Sequence, residues 1–297
     1  MVTGGHGFIG SHLVKQLKQH EVTVLDNLST QGGRSYLDVS ERWVWSTLKP
    51  DCIIALACAV RTNSLSNPVR DMEVNYQASI YGLECARRNN AMFIFASNSG
   101  IVGTPSKLPV TEFTLDNPTT PYDNNKLATE HLMKIYSDQY GVRTLALRFA
   151  AVYGESQICH LNIGWHPLIP HFTGMLQAGK VPTIDGDGNQ TRNLIYVSDI
   201  VNGIILGIAK LQQGELSGMK LILGDETETS INQVFNLISE ELQLQVKPNY
   251  GVRRAADITR MCFDSTKTKA LLGWTPKVSP MEGIKRTVKS LKRYKCG

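Results

Sequence analysis

The stretch TGGHGFIG, close to the N-terminus, constrains the fold of this chain more than any other. Its glycines at positions 4, 7 and 10 follow a short apolar start and precede the helical pattern SHLVKQL. Asp26 ends the next apolar run, VTVLD, about 20 residues further on. Glycines at this spacing also mark ordinary turns. A strand before them, a helix after them and an acid at this distance are typical of a dinucleotide-binding βαβ unit.

Each residue of this unit has a predicted role. Gly4 permits a tight turn, Gly7 lets the backbone approach a pyrophosphate at the helix N-terminus, and Gly10 lets the helix pack closely on the sheet. The Asp26 carboxylate can accept hydrogen bonds from both ribose hydroxyls but would repel a 2′-phosphate. The sequence therefore predicts NAD as the cofactor in preference to NADP.

The first half of the chain alternates apolar runs with helical patterns. VTVLD, CIIALAC, MFIFAS and RTLALRF are apolar throughout, as strands buried on both faces of a parallel sheet require, and a long helix is predicted through DMEVNYQASIYGLECARRNN. The predicted fold class is α/β, a doubly wound parallel sheet. Two parts are short for such a sheet: only Met1 and Val2 precede TGG, and residues 27–50 leave little room for a further helix and strand.

Beyond Gly154 the pattern changes to pieces punctuated by Gly and Pro, such as GWHPLIPHF, which favours a smaller and more irregular α+β region. We expect an NAD-binding domain over 1–153 with a returning segment over about 193–224, and a substrate-binding region over 154–192 and 225–297. Two later helix starts are well marked. Ser230 with Gln233 fits a capping box, and Ser279 before Pro280 fits an N-cap with a first-turn proline.

Composition restricts the class of protein. With 297 residues, 42% of them hydrophobic and 19% charged, the chain can bury a large core. The formal charge of +5 is concentrated near the C-terminus. The cations there are Lys285, Arg286, Lys289, Lys292, Arg293 and Lys295. Because Ile284, Val288 and Leu291 give this segment an apolar stripe, the cations are interpreted as the solvated face of a helix, and no nucleic-acid partner is expected.

Neither metal nor membrane is predicted. The six cysteines form no CxxC pair, which argues against a zinc site or a disulfide framework and favours a reducing compartment. His160, His166 and His171 also lack the usual spacing of metal ligands. The longest apolar run, CIIALACAV, is too short to span a membrane, and no signal peptide precedes the glycine motif. We therefore expect a cytoplasmic protein without a metal or a membrane partner.

The segment PYDNNK places Tyr122 and Lys126 one helical turn apart, directly after Pro121. Residues at i and i+4 share a helix face, so the phenol and the ammonium can point into a single site. Leu127 and Leu132 also fit the apolar stripe of an ordinary amphipathic helix. The spacing by itself leaves both interpretations open.

Taken together, the motifs resemble those of a known family. VTGGHGFIGSHL, VLDNLST, IIALACA, PYDNNK, LRFAAVYG, GDGNQTRNLIYVSDI and KALLGWTPKVSPMEGI occur in the order found in extended short-chain dehydrogenase/reductases, in the NAD-dependent epimerase/dehydratase group that acts on nucleotide sugars. DNLST is most similar to UDP-glucose 4-epimerases. The resemblance covers nearly the whole chain and implies a Rossmann fold, bound NAD, a nucleotide-sugar substrate (a UDP-sugar favoured) and a homodimer.

The resemblance also implies roles for individual residues. Tyr122 would be the acid/base, and Lys126 would hold the nicotinamide ribose and lower the pKa of the phenol. The residues expected against NAD are Gly4, Gly7, Phe8, Ile9, Gly10, Asp26, Asn27, Asp38, Val39, Leu56, Ala57, Ala59, Asn75, Tyr122 and Lys126. The pair Asp38 and Val39 also fits a plain surface turn. Substrate contacts are expected from Ser99, Arg192, Arg254 and Asp257.

The sequence departs from the family at several site positions. Asn98 stands where the family carries the Ser or Thr that hydrogen-bonds the reacting hydroxyl, and an amide cannot relay a proton as a hydroxyl does. Ser97 or Ser99 could substitute for it. The acids of the family dehydratases are replaced by Ser99 and Gly100, the decarboxylases' acids are likewise absent, and Ala151 replaces an asparagine that touches the substrate phosphate. These changes favour epimerase or ketoreductase chemistry.

Three functions are compatible with these residues. The first is an NAD-dependent nucleotide-sugar epimerase, acting on UDP-hexoses through a transient 4-keto sugar that takes hydride back on its other face. The second is a ketoreductase or dehydrogenase of the same fold that exchanges NAD(H) in every cycle. The third is a non-catalytic NAD-binding regulator whose site has drifted. The fold alone does not choose among them.

Overall fold

A six-stranded parallel sheet forms the centre of the protein in the computed structural model, which describes residues 1–29, 37–159, 166–253 and 258–291. The strands are β1 (Val2–Thr3), β2 (Val24–Leu25), β3 (Cys52–Ala55), β4 (Met92–Asn98), β5 (Thr144–Phe149), β6 (Ala151–Tyr153), β7 (Thr183–Asp185), β8 (Thr191–Arg192), β9 (Leu194–Tyr196), β10 (Met219–Leu223), β11 (Thr229–Ser230) and β12 (Asn249–Gly251). The central sheet has the order β10-β5-β4-β3-β1-β2, with parallel pairings throughout. This confirms the predicted doubly wound α/β fold.

Helices surround this sheet. They are α1 (Phe8–Gln16), α2 (Pro68–Met72), α3 (Ala78–Asn89), α4 (Pro121–Tyr140), α5 (Leu168–Gln177), α6 (Val197–Gln212), α7 (Ile231–Glu241), α8 (Thr266–Leu272) and α9 (Pro280–Ser290). A π-helical turn at Glu73–Gln77 joins α2 to α3. The long helix predicted in this part of the chain is therefore present, with one wide turn inside it.

Both faces of the central sheet are apolar because helices cover both. Successive residues of a strand point to opposite faces. Ile54 of β3 and Ile94 of β4 accordingly join the core that includes α1 and α6, whereas Phe93 and Phe95 of β4 join the core that includes α3 and α4. The continuous apolar runs seen in the sequence follow from this burial on both sides.

Helix starts and the C-terminal helix follow the sequence pattern. Ser230 and Gln233 form the predicted capping box of α7, and the Ser279 side chain accepts a hydrogen bond from Glu282 N at the start of α9. Ile284 and Val288 of α9 are fully buried. Of the six C-terminal cations, Arg286 and Lys289 are exposed and Lys285 is half-buried. Lys292, Arg293 and Lys295 lie outside the described residues.

The order of the strands fixes where a ligand can bind. The chain runs from β1 outward to β2 and then returns to place β3 on the other side of β1. The carboxyl ends of β1 and β3 therefore diverge and leave a crevice, which is where doubly wound sheets bind their ligands. Leu56 N at the end of β3 still donates to Thr3 O of β1 at 3.2 Å. The crevice thus opens directly beyond these residues, beside the glycine motif.

The two short parts of the sequence have structural counterparts. β1 is a two-residue strand, and β2 is the edge of the central sheet as far as the chain is described. Between β2 and β3 the described residues include the 3-10 turn Arg42–Trp45. Three small two-stranded sheets pair β6 with β9, β7 with β12 and β8 with β11. None of the helices in the described ranges combines the length and apolar character needed to cross a bilayer.

Candidate active site

The glycine motif forms a tight turn whose two sides touch. Gly4 has a φ of +69°, a left-handed conformation that L side chains rarely adopt, and a Cβ there would lie 2.8 Å from Ala57 N. A Cβ on Gly10 would lie 2.1 Å from Gly4 O. Gly7 is different, because a Cβ there would meet only Gly4 O, at 3.2 Å. The turn is therefore closed at Gly4 and Gly10, as predicted, and open at Gly7, which caps α1.

This turn forms one end of a cleft of about 680 Å³ at the crevice between β1 and β3. Residues expected against NAD that line it are Gly4, Gly7, Phe8, Ile9, Gly10, Asp26, Asn27, Val39, Leu56, Ala57, Ala59, Tyr122 and Lys126. Ser97 and Asn98 line the same cleft. A single cavity thus holds the predicted phosphate-binding turn and the predicted catalytic group.

Asp26 is held rigidly at the end of β2. One carboxylate oxygen accepts from His6 N at 2.9 Å and the other from Leu28 N at 2.8 Å. Both bonds come from backbone groups, and Asp26 lines the cleft. This is the arrangement expected of an acid that binds a ribose diol.

Two residues expected against NAD stand behind the wall of the cleft instead of in it. Asp38 accepts hydrogen bonds from Asn27, Ser40 and Arg70. Asn75 is 1% exposed, and its amide donates to Ala59 O at 3.3 Å and to Asp71 Oδ2 at 3.0 Å.

Asn75 lies in the π-helical turn, a feature common at functional sites. It acts on the cleft through Asp71 and Ala59, which line it.

Tyr122 and Lys126 occupy the first turns of α4 and face the cleft together. The Thr120 side chain caps this helix by accepting from Asp123 N, and Pro121 begins it. Lys126 is 1% exposed. Its Nζ donates to Ala96 O at 2.9 Å and lies 4.4 Å from the centre of the Phe95 ring. The ammonium is therefore fixed against β4, beside the phenol.

The pKa values of this pair are set mainly by burial. Burial raises the pKa of the Tyr122 phenol well above its usual 10.0, and the neighbouring Cys58, Asp123 and Asp71 raise it further. Burial also lowers the pKa of the Lys126 ammonium. The expectation of a lowered phenol pKa is therefore wrong for the chain by itself, because burial raises that pKa.

Asn98 is held by a buried carboxylate. Its Nδ2 donates to Asp123 Oδ1 at 2.6 Å, and its Oδ1 accepts from Gly100 N at 2.9 Å. Asp123 is fully buried and also accepts from Arg61 Nη2 at 2.8 Å and from Thr120 Oγ1 at 2.8 Å. One amide hydrogen of Asn98 is thus used for positioning, which leaves the second for the cleft.

Ser97 belongs to a different network. Its hydroxyl donates to Glu130 Oε1 in the buried interior. Glu130 in turn accepts from Arg148 Nη2 at 2.6 Å, and Arg148 donates to Asp116 Oδ1 at 2.8 Å. Although Ser97 lines the cleft, its hydroxyl proton is committed to Glu130. It is poorly placed to substitute for the hydroxyl that position 98 lacks.

Of the residues expected to bind substrate, the two that the structure describes do not line the NAD cleft. Ser99 begins the 3-10 turn after β4, and neither Ser99 nor Arg192 lines the cleft. Arg192 Nη1 donates to Thr191 O at 2.8 Å and to Ile258 O at 2.7 Å. Arg254 and Asp257 lie outside the described residues.

Several site residues were not predicted. Cys58 lines the cleft and helps to raise the pKa of the neighbouring Tyr122. Its position just after β3, at the carboxyl edge of the sheet, was the signal that could have identified it. Asp71 also lines the cleft and accepts from Asn125 Nδ2 at 2.8 Å. Asp123 resembles an ordinary first-turn acid in the sequence, since its partner Arg61 is 62 positions away.

One cleft at the switch point of the sheet is lined by the glycine turn, by the acid at the end of β2 and by the buried Tyr-Lys pair. Together these features define a dinucleotide-dependent enzyme. The model of the NAD dependent epimerase/dehydratase family matches residues 1–219, and the chain belongs to this family. NAD is therefore its cofactor, and the glycine turn, the Asp26 carboxylate and Lys126 fit that molecule.

Relatives whose names give more than one activity match nearly the whole of this chain. A Methanocaldococcus jannaschii protein with a provisional UDP-glucose 4-epimerase name is 33% identical over 309 residues, covering 98% of each chain. UDP-glucuronic acid decarboxylase 1 of Danio rerio is 30% identical over 99% of this chain and 72% of its own. The crystal structure of Thermotoga maritima UDP-glucose 4-epimerase with UDP-glucose has a TM-score of 0.89 at 30% identity, with 98% of each chain covered.

The position of Asp26 leads to a prediction about cofactor choice. We expect the protein to bind NAD more tightly than NADP. Asp26→Ala should lower the ratio of the dissociation constant for NADP to that for NAD by about 10-fold or more, because it removes both an acceptor for the ribose hydroxyls of NAD and a charge that repels the 2′-phosphate of NADP. Side-by-side titrations of the two cofactors measure this. Glu21→Ala, an exposed acid just before β2, is the control and should leave the ratio unchanged. Equal or tighter binding of NADP by the unaltered protein would contradict the prediction.

Proposed function

We propose that the protein is an NAD-dependent nucleotide-sugar 4-epimerase that acts on UDP-hexoses through a transient 4-keto sugar. The observation that carries the proposal is the single cleft in which Tyr122, Lys126 and Asn98 stand opposite the glycine turn. The sugar-nucleotide relatives described above support the choice of substrate class. The diphosphate is proposed to lie between the NAD domain and the region formed by 154–192 and 225–297, held by Arg192 and Arg254.

The chain's own residues supply the proton chemistry. Hydride acceptance and return are what NAD supplies when bound. Tyr122 Oη takes the proton of the sugar hydroxyl as the ketone forms and gives it back when the hydroxyl is restored. Lys126, fixed by Ala96 O, keeps a positive charge beside the phenol and favours its ionised form, against the effect of burial. Asn98 donates its second amide hydrogen to the sugar oxygen and does not take part in proton transfer.

Gly100 argues against the dehydratase reaction. The family dehydratases carry acids where Ser99 and Gly100 stand in this chain. A Cβ at position 100 would lie 2.9 Å from Asn98 Nδ2 and 3.0 Å from Asp123 Oδ1. A carboxylate there would have to displace the amide and approach the buried charge of Asp123, which is strongly unfavourable. The network that positions Asn98 therefore favours epimerase chemistry, which needs no carboxylic acid at position 99 or 100.

A panel of nucleotide sugars tests the proposal. The protein is incubated with UDP-glucose, UDP-galactose and their N-acetyl and uronic acid counterparts, and products are identified by NMR while the absorbance of NADH is followed. A 4-epimer without net NADH is the expected result. Stoichiometric NADH would instead identify a dehydrogenase, and loss of carbon dioxide or water a decarboxylase or dehydratase. Absence of any product with every sugar would favour a non-catalytic NAD-binding role.

Asn98 gives a second prediction. Asn98→Ser removes the bond to Asp123 but keeps a side chain able to cap Gly100 N. We expect turnover to fall by about 5- to 10-fold, because one hydrogen bond of roughly 1 kcal/mol that positions the cleft is lost. Initial rates on the substrate identified by the panel measure the effect. An increase in turnover would mean that the amide is a weakened version of a catalytic hydroxyl.

A homodimer is part of the same proposal. Helices α3 and α4 contact one another, and their outer surfaces carry apolar side chains, including the half-buried Ile80 and Tyr81 and Ile135, which is 49% exposed. Such a surface fits a contact with a second copy of the chain. Light scattering at micromolar concentration should give twice the 32.9 kDa of one chain, and Ile135→Glu should give the monomer mass. A monomer mass for the unaltered protein would overturn the dimer.

We also propose that the protein works in the cytoplasm. Cys52, Cys58, Cys85 and Cys262 are free thiols. Free thiols persist in reducing compartments. Localisation of a tagged protein in its native cell tests this.

A further inference from the structure

Three side chains that bind transition metals converge beside the start of α5. The thiol of Cys159 and the imidazoles of His166 and His171 place one ligand atom each within 4.8 Å of the others. The His166 and His171 rings are 5.3 Å apart between their centres. Cys159 and His171 are half-buried and His166 is exposed. A cation therefore has access from solvent to a group that is partly shielded from it.

The chemistry of this group selects zinc. Thiolate and imidazole are the ligands that Zn²⁺ prefers, whereas Mg²⁺ and Ca²⁺ prefer oxygen. Bond lengths of about 2.3 Å to sulfur and about 2.0 to 2.1 Å to nitrogen put tetrahedral ligand atoms roughly 3.3 to 3.6 Å apart. The three atoms lie within 4.8 Å of one another, so each pair exceeds that separation by at most about 1.5 Å, a distance that side-chain rotation covers. Three protein ligands leave the fourth position for water.

The ligands come from separate points of the fold. Cys159 follows β6, His166 precedes α5, and His171 lies inside α5 with its backbone N donating to Pro167 O at 3.0 Å. No metal was predicted from the sequence because the chain has no CxxC pair, although the spacing of His166 and His171 does fit the H-x₃₋₅-H pattern of zinc ligands. The proximity of Cys159 to these two histidines is seen only in the folded chain.

The cluster is close to the NAD cleft along the chain. Gln157, two residues before Cys159, is 3% exposed, lines the cleft and donates from Nε2 to Val152 O at 3.2 Å. Glu155 O is hydrogen-bonded to the ring of His12 on α1 at 2.9 Å. A metal bound by Cys159 would restrain the chain directly after Glu155 and Gln157.

We propose that Cys159, His166 and His171 form a zinc site that ties the chain after β6 to the start of α5. The metal is structural in this role, because the cluster contains none of the residues assigned to proton transfer at Tyr122. The site stands independently of the proposed epimerase activity.

Zinc binding by the full chain tests the proposal. The protein is stripped with a chelator under reducing conditions, reloaded with Zn²⁺, dialysed and assayed for bound metal. One zinc per chain is expected. Loading with Co²⁺ should give the charge-transfer absorption of a thiolate–cobalt bond. Cys159→Ser should remove that absorption, and His166→Gln should weaken zinc binding on the order of 100-fold.

Two controls keep the outcome clear. His20→Gln changes an exposed histidine elsewhere and should bind zinc as the unaltered protein does. Because His166 is exposed, His166→Gln leaves the packing intact, and circular dichroism verifies the fold of each variant. Substoichiometric zinc on the unaltered protein, or zinc affinity that His166→Gln and Cys159→Ser leave unchanged, would overturn the proposal. Equal retention of Mg²⁺ would overturn the choice of metal.

Discussion

Tyr122→Phe is expected to lower turnover by roughly 10²- to 10⁴-fold, the usual contribution of a positioned acid/base group. The substitution removes the phenolic oxygen of this turn of α4 and leaves the ring in place. Lys126 keeps its bond to Ala96 O, and the glycine turn is untouched, so NAD binding should survive. Initial rates with the substrate identified by the sugar panel, together with a cofactor titration, measure both quantities.

The pH dependence of the unaltered enzyme adds a second readout. Because burial raises the pKa of the phenol, the protonated form dominates at neutral pH in the chain alone. Turnover that depends on the phenolate should therefore increase as the pH is raised from neutral, and Tyr122→Phe should lose this dependence. Tyr250→Phe, a half-exposed tyrosine on β12, serves as the matched control with unchanged rates. If Tyr122→Phe turned over as fast as the unaltered enzyme, the catalytic assignment would be wrong.

Arg148→Met is expected to lower the free energy of unfolding by about 3 to 5 kcal/mol, the usual cost of removing one partner of a buried ion pair. Arg148 is 1% exposed and binds both Glu130 and Asp116. Methionine fills much of the same volume, so the loss comes from Glu130, which is left without its cation, and from Asp116, which keeps only the 3.4 Å contact with Lys220. Urea unfolding, with the midpoint and slope compared, measures it.

A double variant and an exposed pair separate charge from packing. Adding Glu130→Gln to Arg148→Met removes one orphaned charge and should recover part of the stability. Lys134→Met breaks an exposed pair with Asp138 on α4 and should cost less than about 1 kcal/mol. A cost for Arg148→Met no larger than that of Lys134→Met would mean that the network contributes nothing to stability.

Acid should reduce the effect of Arg148→Met. Burial tends to raise the pKa of Asp116, but the hydrogen bonds and charge of Arg148 outweigh it and hold the pKa below its usual 3.8. The stabilisation from this group is complete above about pH 4 and disappears as the pH falls through the lowered pKa. The difference between the unaltered protein and Arg148→Met should therefore shrink below that pH.

Much of the fold could be predicted because it depends on patterns of residues that are close together in the sequence. Apolar runs gave the strands, and the glycine spacing with Asp26 gave the βαβ unit and the cofactor. Helix caps at Ser230 and Ser279 were visible because a cap depends on residues only three apart. The π-helical turn was not predicted, since nothing in the sequence EVNYQ distinguishes it from an ordinary helix.

The site was predicted only as far as contacts were local or shared with the family. Tyr122 and Lys126 are neighbours on one helix, so their joint position followed from spacing. The bond between Asn98 and Asp123 was not predicted, because the two residues are 25 positions apart. The pKa of Tyr122 was predicted in the wrong direction, since the sequence shows the adjacent cation but not the depth of burial.

The fully buried Asp123 limits the order in which this site could have evolved. A carboxylate enclosed there without Arg61 and Asn98 would have no cation beside it and would keep only the Thr120 hydroxyl as a side-chain donor, whereas an amide at position 98 without the carboxylate lacks only one hydrogen-bond acceptor. The viable mutational path therefore introduces the arginine and the amide first and the acid last. Ancestral variants that carry Arg61 and Asn98 with a neutral residue at 123 should fold, while those with the acid alone should not.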